Sequence, residues 1–181
     1  MSSRELLLLR HAKSDWRTAE SDFHRPLSKR GERDAPRVGK WLHRWGLRPD
    51  LVISSPAIRA RQTACKVGEA LGIEEEQIEW KTRIYDSSPG ILLAVLAECH
   101  EQSGRVLLVG HNPELARLLV YLCGSALEMP VDGKVLPTAT LARIGMPLDW
   151  RELQPDSGAL ISVTRPAAMD FPMDGPVNGN G

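Results

Sequence analysis

An arginine and a histidine stand side by side at Arg10-His11, directly after the apolar run Leu6–Leu9. A second apolar run, Val106–Val109, ends on Gly110-His111-Asn112-Pro113. A third, Leu51–Ile53, leads into Ser54-Ser55-Pro56, with Arg59 three residues further on. Placing cationic groups against apolar strands is costly unless something compensates. In open α/β sheets, ligands bind beyond the carboxyl ends of the strands. If these three strands are neighbours, Arg10, His11, Arg59 and His111 converge and repel one another unless a multivalent anion lies among them. Phosphate fits that demand, because guanidinium groups bind it through paired hydrogen bonds and helix amino ends add backbone N–H donors. Taken singly, each segment has an ordinary reading: a surface histidine, a turn with a capping asparagine, a routine helix start. Their joint occurrence at three strand-to-helix junctions points to a site.

The elements that must position these residues alternate along the chain. Short strands are expected at Glu5–Leu9, Asp50–Ser54, Gln77–Lys81 and Arg105–Val109, three of them built on continuous apolar runs. Ser28 is placed to cap a helix with an apolar stripe of Val38, Trp41, Leu42 and Trp45, with Pro36 marking its start or a kink and Gly46 and Pro49 stopping it. A second helix carries Ala60, Ala64, Val67 and Leu71 up to Gly72, and a third is expected from Pro89 to about Glu101. A fourth carries Leu115, Leu118, Leu119 and Leu122 and closes at Gly124. Thr138–Ile144 and Leu160–Thr164 read as two further strands, an antiparallel edge. Alternating strands and helices predict an α/β fold, a largely parallel sheet covered on both faces. A single domain over residues 1–165 is expected, followed by a disordered tail over 166–181, where Pro, Gly, Asn and Met follow no period.

Composition bounds the function. A chain of 181 residues with 42% hydrophobic and 25% charged residues is an ordinary globule. Lys+Arg and Asp+Glu are equal at 23 each, so net charge predicts no partner. The distribution is uneven: residues 1–61 hold 14 Lys/Arg against 7 Asp/Glu, and the remainder holds 9 against 16. The basic half is where an anionic ligand would be drawn. Cys65, Cys99 and Cys123 lack any Cys-x-x-Cys spacing and read as small buried thiols, neither disulfides nor metal ligands. His24, His43 and His100 lack metal-like spacing as well. With no signal-peptide pattern, no run of transmembrane length and no nucleic-acid module, a cytoplasmic protein is expected, without membrane or nucleic-acid partners.

The segments "RHA", "SPAIRARQTA" (Ser55–Ala64) and "VGHNP" (Val109–Pro113) resemble signature segments of the histidine phosphatase superfamily, the phosphoglycerate mutase-like proteins. The forms "RHAKSDW", "DFHRPLSKRGERDA" and "GHNPEL" are similar to its SixA-type phosphohistidine phosphatase group. The resemblance runs from Leu6 to Thr164. It implies a three-layer α/β/α sandwich and a metal-independent phosphatase with no cofactor. By motif, His11 would be the nucleophile, Arg10 and Arg59 would hold the phosphoryl group, and His111 would be the second pocket histidine. An imidazole nucleophile would pass through a phosphohistidine intermediate that water then hydrolyses. The surrounding cations would stabilise the equatorial oxygens and keep His11 unprotonated.

The proton donor to the leaving group is left open by the sequence. Asp22 is the acid nearest the motifs in sequence, and Asp86 is a weaker candidate, read rather as the cap of the following helix. Arg25 and Asn112 are additional candidates for contacting phosphate. A protonated phosphoramidate such as phosphohistidine needs little help from an acid. The segment between Gly72 and Pro89 is too short to roof the pocket, which favours a phosphorylated protein as partner, a histidine phosphotransfer or phosphocarrier domain in signalling. A monomer is expected. The other readings are a small-molecule phosphomonoester phosphatase and a non-catalytic phosphate-binding module. Five tryptophans raise the idea of a stacking surface, although Trp41 and Trp45, at helical spacing, read as core.

Overall fold

The computed structural model describes residues 4–170. Its strands are β1 (Arg4–Arg10), β2 (Leu51–Ser54), β3 (Ile78–Trp80), β4 (Arg105–Gly110), β5 (Leu141–Met146) and β6 (Ala159–Thr164). Its helices are α1 (Lys29–Arg44), α2 (Ile58–Ala70), α3 (Pro89–Ala97) and α4 (Glu114–Cys123). The strands form one six-stranded sheet in the order β3-β2-β4-β1-β5-β6. β3, β2, β4 and β1 are parallel; β5 runs antiparallel to both of its neighbours. This is the expected three-layer α/β/α sandwich.

The four-leucine run of β1 shows why the sheet needs two covers. Successive strand residues point to opposite faces. Leu6 and Leu8 pack in one core with Leu92, Val95 and Leu96 of α3 and Leu115, Leu118, Leu119 and Leu122 of α4. Leu7 and Leu9 pack in the other with Ala35, Val38 and Leu42 of α1 and Ala60, Ala64 and Val67 of α2. All four leucines are fully buried, so β1 is a rigid spine for whatever its carboxyl end carries. Its neighbour β4 pairs in register up to Arg10↔Gly110, and β2 flanks β4 on the far side. The three strand ends singled out in the sequence are therefore adjacent.

Several boundaries differ from expectation. Ser28 does cap α1, its Oγ accepting from the Gly31 amide, and Pro36 lies inside the helix, beyond its first turns. There it has no N–H to give the Glu32 carbonyl. Trp41 is only partly buried, and Trp45 is 57% exposed at the helix end rather than core. α3 stops at Ala97, before Glu101, and β5 begins at Leu141, after Thr138. The first residues assigned to a tail pack on the domain: Met169 is buried in the α1/α2 core, and Asp170 pairs with Arg37 at 2.7 Å. The rest of that expected tail, 171–181, lies outside the described residues. Among the described residues, no helix is long and apolar enough to cross a membrane.

Candidate active site

At the carboxyl edge of the sheet, β1 delivers Arg10 and His11, β2 delivers Ser54 and Ser55, and β4 delivers Gly110 and His111, while Arg59 projects from the first turn of α2. Local packing fixes each of these exits. The Ser28 amide and hydroxyl both donate to the Lys13 carbonyl, and Gly31 lies so close to that carbonyl that a Cβ would collide with it. Ser14 bridges to Leu27. The start of α1 thus clamps the loop that follows His11. The loop Asp22–Arg25 is held from α2, where the Ile58 amide donates to the Phe23 carbonyl.

His11 is 7% exposed, and its Nδ1 lies 2.8 Å from the Ala12 carbonyl. A carbonyl can only accept, so Nδ1 carries the proton and Nε2 of the neutral ring keeps its lone pair. Arg59 Nε lies 3.4 Å from that Nε2. Burial, followed by the nearby charges of His111, Arg59 and Arg10, pulls the His11 pKa down to about 3, against the Ala12 hydrogen bond, which acts upward. His111 is lowered to about 4, again mainly by burial and then by Arg59. The two rings lie 5.2 Å apart, and His111 Nε2 sits 2.8 Å from Ser55 Oγ. Both imidazoles are therefore neutral at physiological pH, set among cations that cannot be discharged. The Nε atom of Arg10 and Nδ1 of His111 are buried without a hydrogen-bond partner in the protein. An unpaired buried guanidinium donor is what an oxyanion would satisfy.

Asp22 organises the cations opposite His11. One carboxylate oxygen accepts from Tyr85 Oη at 2.7 Å and Arg59 Nη2 at 3.1 Å, and the other accepts from Arg25 Nη1 at 2.8 Å. Its carbonyl accepts from Arg59 Nη1 at 2.6 Å. The hydrogen bond from Tyr85, then Arg25 and Arg59, hold the Asp22 carboxyl at about 2. Held there, the carboxylate is ionised at neutral pH and anchors Arg25 and Arg59. Arg25 is buried at 7% exposure, with Nε donating to Ser14 Oγ at 3.0 Å. The cleft over these groups has a volume of about 540 Å³ and reaches from His11 to Trp16, Tyr85 and Glu114 at its rim.

The family model of the histidine phosphatase superfamily, branch 1, matches residues 6–85, the stretch carrying Arg10, His11 and Arg59. Over that stretch the chain is similar to the histidine phosphatase superfamily. Over 162 residues it is 29% identical to an uncharacterised protein of Mycobacterium tuberculosis, covering 87% of this chain and 99% of the relative. Over 120 residues it is 28% identical to the phosphohistidine phosphatase SixA of Escherichia coli K12, covering 66% of this chain and 74% of that protein. A structure provisionally assigned as a SixA phosphohistidine phosphatase, from Nakamurella multipartitia, superposes with a TM-score of 0.76 at 27% identity, over 93% of this chain and 99% of that one. These likenesses support a phosphatase enzyme.

The structure brings together Arg10, His11, Arg59 and His111, with Asp22, Arg25 and Asn112 on the same cleft. Asn112 does not cap α4: its Nδ2 donates to the Leu136 carbonyl, and no side chain caps that helix. Asp86 lines the cleft but does not cap α3, which Ser88 does. Two amides at the amino end of α2 are already taken, Ile58 by Phe23 and Ala57 by Ser55 Oγ, so side chains carry more of any phosphate binding there than helix amides. Sequence reasoning missed Tyr85, Ser55 and Ser14. Tyr85 has no motif of its own; its only signal was adjacency to Asp86. Ser55 sat in view at a strand end, but its pairing with a residue 56 positions away has no trace in local sequence.

Proposed function

We propose that the protein dephosphorylates phosphohistidine on a partner protein, with His11 as nucleophile. The observation that carries this reading is the lone pair of His11 Nε2, held beside Arg59 Nε at the floor of an open cleft. Nε2 attacks phosphorus in line with the leaving nitrogen; the Nε2–P bond forms as the substrate P–N bond breaks, and the imidazole leaves with the proton it already carries. Water then attacks the phosphorus of phospho-His11, the Nε2–P bond breaks, inorganic phosphate departs, and the proton of the water passes to solvent. Arg10, Arg59 and His111 act on the phosphoryl oxygens, where positioning and charge stabilisation supply most of the rate. A leaving group that brings its own proton suits a site whose nearest carboxylate, Asp22, is ionised. Similarity to SixA of Escherichia coli, a phosphohistidine phosphatase, supports the same substrate class. The cleft is far larger than a phosphoryl group, and its rim is open enough for a side chain projecting from a folded phosphotransfer or phosphocarrier domain.

His11→Ala tests the reading. It should reduce turnover by more than about a hundredfold while phosphate binding persists, since both arginines remain. Trapping on the wild type should give an adduct on His11 that is labile in acid and stable in base, as a phosphoramidate is. An acid-stable adduct, or a phosphosugar preferred over every phosphohistidine protein tried, would overturn it.

A further inference from the structure

Trp16 is 70% exposed, and of the exposed tryptophans among the described residues it is the one that lines the cleft. An exposed indole is an apolar plane left in water, and such surfaces often mark interaction sites. This one is not loose. The Arg25 guanidinium carbon lies 3.6 Å from the ring centroid, close enough for a cation–π stack. Arg25 is itself buried and fixed on its other sides, by Ser14 Oγ at 3.0 Å and by Asp22 at 2.8 Å. One face of the indole is therefore pinned to an immobile cation belonging to the phosphate-binding cluster. With 70% of the residue exposed, the remaining surface is free at the mouth of the cleft. A rigid aromatic plane costs little conformational entropy to use, and it recognises a flat ring better than a puckered sugar or a flexible chain.

We propose that Trp16 is a specificity-determining residue, stacking against the imidazole ring of the phosphohistidine that the site dephosphorylates. The inference rests on the phosphohistidine phosphatase reading and names the feature that selects this leaving group. A protonated phosphoimidazole adds to the fit, because indole is the best of the aromatic side chains for a cation over its face. The phosphoryl end is left to Arg10, Arg59 and His111, so recognition divides between charge at the floor and stacking at the rim.

Two small substrates separate these parts: free phosphohistidine, which presents the ring, and phosphoramidate, which has the same P–N bond and no ring. The quantity read is the ratio of their kcat/KM values. In Trp16→Ala that ratio should fall about three- to tenfold, the size of one aromatic stack. Trp16→Phe, which keeps a smaller ring, should fall less than Trp16→Ala. A ratio unchanged in Trp16→Ala, with both substrates slowed alike, would show that Trp16 only props Arg25 and would overturn the inference. So would a loss confined to a phosphohistidine-bearing protein, which would make Trp16 a docking residue. If the wild type cleaves neither small substrate nor a phosphohistidine protein, the phosphatase reading fails and takes this inference with it. That result is distinct from an active enzyme whose ratio ignores Trp16.

Discussion

Acidification should destabilise the protein through its two site histidines. His11 and His111 are each 7% exposed and stay neutral in the folded state, with pKa values drawn down to about 3 and about 4, chiefly by burial. In the unfolded chain an imidazole titrates near about 6.5. Between those limits the unfolded chain binds protons that the native site refuses. The stability is thus fully present above the unfolded value and is lost as pH falls toward the folded ones. Going from pH 7.5 to pH 5.0, each histidine should remove about 2 kcal/mol, so about 4 kcal/mol together, a large share of the 5–15 kcal/mol typical of a domain. The window is chosen to lie above ordinary carboxylate titration. Urea unfolding at several pH values across it would measure the slope, with His11→Asn and His111→Asn each expected to flatten it by about half. A wild-type stability constant over that window would refute the reasoning, as would single variants that keep the wild-type slope. Either result would mean that the native histidines protonate as readily as unfolded ones.

Three further outcomes are expected. Arg59→Ala should lower kcat/KM for an aryl phosphate by about a hundredfold and Arg59→Lys by about tenfold, because lysine keeps the charge but loses the planar fork that meets both His11 and Asp22; full activity with lysine would reduce Arg59 to a distant counter-charge. Ser55→Ala should slow kcat about tenfold with little change in KM, since it removes the hydroxyl 2.8 Å from His111 Nε2. An unchanged kcat would show that Ser55 does not orient that ring. Gly39→Ala should lower stability by about 1–3 kcal/mol in thermal unfolding, because a Cβ there would lie 2.6 Å from the Val67 carbonyl and 2.7 Å from the Ala70 Cβ, wedging α1 off α2; no loss would mean that the two helices can slide apart freely.

The α/β alternation and the strand ends were legible in the sequence because both are local. Continuous apolar runs identify buried strands, 3.6-residue stripes identify the helices against them, and Arg10, His11, Arg59 and His111 stand directly after such runs. A leucine run buried on both faces already demands two covering layers. What the sequence left open was decided by contacts between residues far apart in the chain. Asp22 reads as a free acid until Tyr85, 63 positions away, donates to it and Arg59 closes on it, after which it is an ionised anchor. Ser55 is one of many serines until β2 and β4 lie side by side and bring it to His111. Trp45 follows the helical stripe yet is 57% exposed, because it is the residue on which α1 ends. Asp86 and Asn112 have the residue types of helix caps, but capping depends on backbone direction at the junction, and Ser88 takes the one role while no side chain takes the other. Periodicity and residue type determined which groups reach the edge of the sheet. Their ionisation, orientation and partners were set only when the parallel strands closed, because desolvation and hydrogen bonding depend on what the fold places within a few ångströms.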